Sequence, residues 1–163
     1  MARYKAGDLA PDFTLRDQFG EEVRLSSYRG KKHVLLAFVP EAWAPVCTAQ
    51  VASFKKEESA FDLADTQVIV LTCDNRPSQK AWAEDLKLHF PVLSDFWPHG
   101  DIARRYGVLR EDGVSEQALF LIDKQGKVRA VQVGERDLQP DTTVILAEVD
   151  KLRREAQRAA FGR

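Results

Sequence analysis

The sequence predicts one α/β domain with a central mixed sheet, helices on both of its faces and an N-terminal β-hairpin. Three observations lead to this prediction. Apolar runs typical of buried strands occupy residues 33–38 and 67–73, and a helical pattern separates them. The residues KQGK at 124–127 lie between two strand-like runs and give the strongest hairpin signal in the chain. An amphipathic pattern over 141–160 predicts a last, long helix.

The first half of the chain predicts a hairpin followed by a strand–helix–strand unit. Two short strand-like runs, 13–15 and 22–25, are joined by a turn that contains Gly20. We expect the helix after the first buried strand to run to about Ala64. Because such a unit forms a right-handed crossover, its two strands should be parallel neighbours. Their carboxyl ends then share the edge of the sheet where ligands usually bind.

The second half predicts helices and strands that complete the sheet. A helix begins at about Pro77 and stops before residue 89, and an extended piece follows at 91–93. A short helix at 101–106 is closed by Gly107, and two strands follow at 118–123 and 128–133. The final helix should face inward with Ile145, Val149, Leu152 and Ala156.

Composition narrows the range of functions. The 163 residues are 44% hydrophobic, which suits a single domain over 1–163 with a substantial core. The 24 basic and 25 acidic residues give no reason to expect nucleic acid or an anionic membrane as a partner. No apolar run approaches the roughly 20 residues of a membrane span, and the N-terminus lacks the apolar region of a signal peptide. We therefore expect a cytoplasmic protein.

Cysteine and histidine usage points to thiol chemistry. The two cysteines and three histidines are not in metal-ligand spacing, so we expect neither a metal nor a cofactor. Two lone cysteines in a chain of this kind favour a reactive thiol over a disulfide framework.

Cys47 is the candidate catalytic residue. Within the segment FVPEAWAPVCTAQ a buried strand ends and a helix begins. Cys47, Val51 and Phe54 share one face of that helix. In the first turn of a helix, free backbone N–H groups and the helix dipole favour a thiolate, which lowers a cysteine pKa. The alternative is an inert, buried cysteine.

Several segments, in order, resemble the peroxiredoxin family. They are GDLAPDFTLRDQFGEEVRLSSYRGKKHVLLAF, FVP with its following cysteine, PVLSDF, GDIARRYGV and LFLIDKQGKVRAV. The CTAQ after the cysteine is most similar to the subfamilies related to AhpE and bacterioferritin comigratory protein. The resemblance implies a thioredoxin-like fold with an N-terminal extension and a peroxidatic Cys47. It also implies reduction of hydrogen peroxide, organic hydroperoxides or peroxynitrite through a sulfenic acid, an external thiol or thioredoxin-type reductant, and a homodimer.

Two positions depart from the family pattern. In the motif Pro-x-x-x-Thr/Ser-x-x-Cys, Pro40 and Cys47 match, but Ala44 occupies the hydroxyl position. Gln117 stands where the family places an arginine. Both missing groups would stabilise charge on the sulfur and on the peroxide oxygens. Arg110 is a candidate replacement for the missing cation, although a solvated loop charge is the interpretation that we favour.

Other residues near the site also have two interpretations. Cys73 ends a buried strand, so we favour an inert core thiol over a resolving partner and a one-cysteine cycle over a two-cysteine cycle. Trp43 is expected to pack under the loop rather than contact substrate. Asp74 has the character of an ordinary surface charge.

Three functional hypotheses follow from these residues. The first is a thiol-dependent peroxidase, with activity reduced by the two departures. The second is a catalytically weakened scaffold that acts as a redox sensor or binding module. Thiol–disulfide exchange is disfavoured, because Ala44 stands where the attacking cysteine of a thioredoxin-type loop would be.

Overall fold

The computed structural model describes residues 3–135 and 138–162. The strands are β1 (Thr14–Arg16), β2 (Glu22–Arg24), β3 (His33–Phe38), β4 (Thr66–Thr72), β5 (Val92–Ser94), β6 (Ala118–Ile122) and β7 (Val128–Val133). The helices are α1 (Pro45–Lys56), α2 (Glu58–Leu63), α3 (Arg76–Asp85), α4 (Asp101–Arg105) and α5 (Thr143–Phe161), with a 3₁₀ helix at Leu25–Tyr28.

The central sheet has five strands in the order β5-β4-β3-β6-β7. β3 lies in the middle, parallel to β4 and antiparallel to β6. This arrangement confirms the predicted mixed sheet, the parallel crossover and the central place of the strand before Cys47. Strands β1 and β2 pair antiparallel as a separate two-stranded sheet, which confirms the N-terminal hairpin.

Alternate residues of β3 pack into two cores on opposite faces of the sheet. Leu35 and Ala37 lie in the core that is covered by α1, α2, α3 and α5, while Leu36 and Phe38 lie in the core near α4 and the N-terminal segment. Because both faces are buried, the strand is a continuous apolar run rather than an alternating one. Helices therefore cover both faces, as predicted.

The predicted helix to Ala64 is wrong in one respect, because it is two helices that break at Glu57. Lys55 and Lys56 end α1 and Glu58 begins α2, a charge order that suits a helix carboxyl end followed by an amino end. The break lets Phe61 pack against Phe54, with ring centroids 6.4 Å apart.

The last helix is two residues shorter at its start than predicted. Ile145, Val149 and Leu152 are buried as expected, but Ala156 is exposed, so the prediction that it faces inward is wrong. Among residues 3–135 and 138–162, no helix combines the length and the apolar character needed to cross a membrane.

Candidate active site

Cys47 lies in the first turn of α1, as the sequence predicted. Ala44 is the N-cap residue and Pro45 the first helical residue, a position that suits the fixed φ of proline. The Ala44 side chain makes no capping hydrogen bond. Its backbone carbonyl accepts a hydrogen bond from the backbone N–H of Thr48 at 2.9 Å. The helix therefore begins with backbone N–H groups around a buried thiol that is only 2% exposed.

The loop before α1 is held by Asp74. Its carboxylate accepts a hydrogen bond from the backbone N–H of Ala42 at 2.8 Å, so Asp74 is a structural acceptor and not an ordinary surface charge. Trp43 follows with a positive φ of 73° and is 50% exposed. The prediction that Trp43 packs under the loop is wrong, because half of its surface is exposed to solvent.

A cavity of about 240 Å³ opens onto Cys47. One wall is formed by Pro40, Glu41 and residues 44–47, and the other by Arg110, Asp112, Val114 and Gln117. The structure therefore brings Pro40, Ala44, Cys47 and Gln117 together. A larger depression of about 520 Å³ lies elsewhere, against Phe96 and Trp97. It contains no thiol, so the smaller cavity is the candidate active site.

Gln117 contacts the sulfur directly. Its Nε2 donates a hydrogen bond to Cys47 Sγ at 3.5 Å. The sheet explains this contact, because Gln117 immediately precedes β6, and Ala118 of β6 pairs with Phe38 at the carboxyl end of β3. The antiparallel register thus places Gln117 beside the carboxyl end of β3, after which α1 begins. The other polar atom of this amide, Oε1, has no hydrogen-bond partner among the described residues.

The surroundings of Cys47 favour the thiol over the thiolate. Burial raises the pKa of Cys47, and the negative charges of Glu41 and Asp74 raise it further. A backbone hydrogen bond from Glu41 and the amide of Gln117 act in the opposite direction. The sequence had predicted a lowered pKa from the helix terminus alone. Burial outweighs that effect because no cation contacts the sulfur among the described residues.

Arg110 lines the same cavity as Cys47. Its side chain is 13% exposed and donates to Asp112 Oδ2 at 2.9 Å. The preferred interpretation of Arg110 as a solvated loop charge is therefore wrong, although its charge is balanced by Asp112. The LREDG turn brings it there, since the backbone N–H of Arg110 bonds to the carbonyl of Val114 at 2.8 Å.

Cys73 follows the last residue of β4, at the same carboxyl edge of the sheet as Pro40. It is a free and buried cysteine, so its predicted burial is confirmed, and its reduced state in the resting protein stays a prediction. Burial, followed by the charges of Asp95 and Asp74, raises the pKa of Cys73 to about 12. Cys73 is not among the residues that line the Cys47 cavity.

Sequence reasoning did not single out Glu41 or Gln50, and it took Asp74 for an ordinary surface charge. Glu41 and Asp74 act on Cys47 through their charges, and no local pattern reveals that two such carboxylates converge there. Gln50 is fully buried one helical turn beyond Cys47, with no hydrogen bond from its side-chain amide to any described residue. Its spacing of three residues from Cys47 was a signal, because it places both on one face.

Comparison with known proteins agrees with this fold. The model of the AhpC/TSA family matches residues 6–131. Alkyl hydroperoxide reductase E of Mycobacterium tuberculosis is 38% identical over 128 residues, which are 78% of this chain and 84% of that protein. The chloroplastic 2-cysteine peroxiredoxin of Chattonella marina is 36% identical over 135 residues, 77% of this chain and 68% of that protein.

Solved structures give the same result. Reduced 2-Cys peroxiredoxin from Plasmodium vivax superimposes with a TM-score of 0.82 at 26% identity, over 94% of this chain and 99% of that chain. Peroxidoxin BcpB from Mycobacterium tuberculosis gives a TM-score of 0.79 at 27% identity, over 94% of this chain and 98% of that chain. Fold and relatives together define a thiol-dependent peroxidase with a thioredoxin-like fold. The chain belongs to the AhpC/TSA family, the peroxiredoxins.

Proposed function

We propose that Cys47 is the peroxidatic cysteine of this peroxidase and that it reduces hydrogen peroxide or organic hydroperoxides. The observation that carries the proposal is the position of its sulfur, in the first turn of α1 and at the wall of the cavity. Backbone N–H groups at this helix end can donate to the oxygens of a bound peroxide. The cavity of about 240 Å³ has room for a substituent beyond the two peroxide oxygens.

The reaction transfers one oxygen atom to sulfur. The Cys47 thiolate attacks the terminal oxygen of ROOH and the O–O bond breaks. The departing alkoxide takes a proton to become ROH, so that sulfenic acid and alcohol are the products. Sulfur is oxidised by two electrons, and the peroxide is reduced by the same two.

Pro40, Ala44 and Gln117 complete the proposed site. Pro40 has no backbone N–H and shields one side of the cavity, where it lies beside the sulfur-bearing turn. Ala44 and Gln117 replace a hydroxyl and a guanidinium, so neither position offers the developing oxyanion its usual donor, and the charge of Arg110 in the same cavity is balanced by Asp112. A charge-assisted hydrogen bond contributes about 1.5–3 kcal/mol, and we therefore propose a slower first step than in a site that has both groups.

Regeneration is proposed to be of the one-cysteine type. An external thiol, from a small molecule or a thioredoxin-type protein, attacks the sulfenic acid and releases water, and a second thiol then frees Cys47. The burial of Cys73 and its pKa of about 12 support this choice, because the thiolate is the attacking form. Cys73 remains the alternative resolving residue.

The test is a peroxide-consumption assay that uses the purified protein with dithiothreitol, together with trapping of the sulfenic acid by dimedone. We expect consumption and a dimedone adduct on Cys47, and the loss of both in Cys47→Ser. Cys73→Ser is the matched control, which should retain both. If Cys47→Ser consumed peroxide as fast as the parent, the proposal would be overturned.

The second candidate is a redox sensor or binding module on a weakened peroxidase scaffold. The raised pKa of Cys47 and the pairing of Arg110 with Asp112 favour it, because both reduce the reactivity of the sulfur. The second-order rate with hydrogen peroxide separates the two functions. A rate no higher than that of a free cysteine at the same pH would favour the sensor or module.

A homodimer in the cytoplasm is the proposed state of the protein. Phe96 and Trp97 are exposed, the latter by 81%, beside a depression that also contains Arg16, Arg76 and Glu22. A two-fold interface must be self-complementary, and this patch carries apolar groups with charges of both signs. Light scattering should give the mass of a dimer for the parent and of a monomer for Trp97→Glu. A monomeric parent would contradict the proposal.

A further inference from the structure

One half of the Gln117 side-chain amide has no hydrogen-bond partner among the described residues. Gln117 is 3% exposed, lines the Cys47 cavity and uses Nε2 to donate to Cys47 Sγ at 3.5 Å. Its Oε1 accepts nothing from any residue that the structure describes. A buried carbonyl oxygen without a donor is unfavourable, so this atom would gain from any hydroxyl group formed at the sulfur.

A second buried amide lies on α1, the helix that carries Cys47. Gln50 is fully buried and follows Cys47 by three residues, which places both side chains on the inner face of α1. Neither Nε2 nor Oε1 of Gln50 has a hydrogen-bond partner in the described part of the chain. Two buried glutamines with unpaired polar atoms therefore lie on α1 and immediately before β6, the two segments that also hold Cys47 and its hydrogen-bond donor.

An amide suits the oxidised form of cysteine better than the reduced form. The thiolate only accepts hydrogen bonds and the S–H of the thiol is a weak donor, whereas a sulfenic acid donates a strong hydrogen bond through its O–H group. Glutamine offers both a donor and an acceptor, while arginine offers donors alone. An arginine at position 117 would suit the thiolate, whereas Gln117 suits the sulfenic acid.

We propose that Gln117 holds the sulfenic acid of Cys47 in its protonated form and so protects it from a second oxidation. This inference rests on the proposed function, since it requires that Cys47 forms a sulfenic acid. When Cys47 is oxidised to the sulfenic acid, Gln117 Nε2 donates a hydrogen bond to it and Gln117 Oε1 accepts a hydrogen bond from its O–H group. Gln117 touches the reacting sulfur and is in this sense a catalytic residue of the oxidised state.

The chemistry of the second oxidation explains the protection. The reactive species is the sulfenate, whose sulfur attacks the terminal oxygen of a second ROOH. The O–O bond breaks, and sulfinate and ROH are formed, so that sulfur loses two further electrons. A proton that is shared with Gln117 Oε1 lowers the fraction of sulfenate.

The surrounding charges act in the same direction. The carboxylates of Glu41 and Asp74 both disfavour negative charge on the Cys47 sulfur. Arg110, which lines the same cavity, has its charge balanced by Asp112 at 2.9 Å. The sulfenate therefore gains no uncompensated cation, and the protonated acid is the form that these residues favour.

The experiment separates the second oxidation from the first. One equivalent of hydrogen peroxide converts Cys47 to the sulfenic acid in the absence of thiol, in a Cys73→Ser background. A second, excess dose then follows, and intact-mass spectrometry with dimedone quenching measures the sulfinic acid over time. The comparison is between the parent, Gln117→Met, which keeps the volume but neither polar atom, and Gln117→Arg, which supplies donors only.

We expect the sulfenic acid of each Gln117 variant to be overoxidised about threefold to tenfold faster than that of the parent, the range for one hydrogen bond. Gln79→Met is the control for general destabilisation, since Gln79 is also a buried glutamine with an unpaired Oε1, donates through Nε2 to Thr72 and Leu93, and does not line the cavity. Its overoxidation rate should equal that of the parent. Gln117→Met carries the test if Gln117→Arg does not fold, because Gln117 makes only one side-chain hydrogen bond to a described residue.

The outcomes distinguish this inference from the function on which it rests. If the parent forms no dimedone adduct on Cys47, the proposed function fails. If the adduct forms but the parent and both Gln117 variants are overoxidised at one rate, the function stands and the role of Gln117 is overturned. A faster rate in Gln79→Met as well would also overturn it, because the effect would then belong to general destabilisation.

Discussion

The carboxylate of Asp74 accepts a hydrogen bond from the backbone N–H of Ala42 at 2.8 Å. This contact ties the loop before Cys47 to the end of β4. The same charge raises the pKa of Cys47 and of Cys73. One side chain therefore positions the reactive loop and also suppresses its thiolate.

These two roles of Asp74 can be separated by substitution. Asp74→Asn keeps a carbonyl acceptor for Ala42 but removes the charge, so the pKa of Cys47 should fall. We expect the peroxide rate at pH 7 to rise about twofold to fivefold, since a partly screened charge shifts a pKa by a fraction of a unit. Asp74→Ala should instead lower the free energy of unfolding by about 1–2 kcal/mol. Stopped-flow oxidation and urea unfolding measure the two effects. Equal rates in Asp74→Asn and the parent would show that the charge is fully screened.

Restoration of the two family groups should accelerate the first oxidation. Gln117→Arg places a cation on the sulfur, and we expect a gain of about tenfold to a hundredfold, the range for a charge-assisted hydrogen bond. Ala44→Thr adds a hydroxyl donor. The effects should be non-additive, because both groups act on the same sulfur and oxygen atoms.

The measurement for this pair is stopped-flow oxidation of the parent, the two single variants and the double variant, with Cys47→Ser as the blank. A double variant no faster than the parent would mean that another residue already supplies the charge. Arg110 would be the first candidate, since it lines the cavity.

The reaction of Cys47 with peroxide should continue to rise with pH above the neutral range. The thiolate is the deprotonated and reactive form, so a raised pKa leaves less of it at pH 7. Below that pKa the rate should increase about tenfold per pH unit, with no plateau below about pH 8.5, the ordinary value for cysteine. The measurement is the second-order rate from pH 6 to 10. A plateau near pH 6 would contradict the raised pKa.

Oxidation of the parent should leave Cys73 reduced. Cys73 is buried and has a pKa of about 12, so little of it is thiolate at neutral pH. Peptide mapping after one equivalent of peroxide should recover oxidised Cys47 and free Cys73. A Cys47–Cys73 disulfide as the main product would instead make Cys73 the resolving residue and the cycle a two-cysteine cycle.

Local sequence patterns determined most of the fold. The apolar run of β3, the glycine turns and the helical spacing after Pro45 each depend on neighbours within a few residues. Steric and hydrophobic periodicity act at that range, so the central place of β3 and the position of Cys47 in the first turn of α1 were predicted. The break at Glu57 was not, because its advantage is the packing of Phe61 against Phe54.

The electrostatic character of the site was decided only by the tertiary structure. The sequence by itself placed Cys47 at a helix start and Ala44 and Gln117 at unusual positions. It did not show that Arg110 would line the cavity or that Glu41 and Asp74 would act on the sulfur. These groups converge through strand pairing and loop packing between distant parts of the chain. The pKa of a buried thiol depends on the sum of burial and all nearby charges, which only the folded arrangement sets.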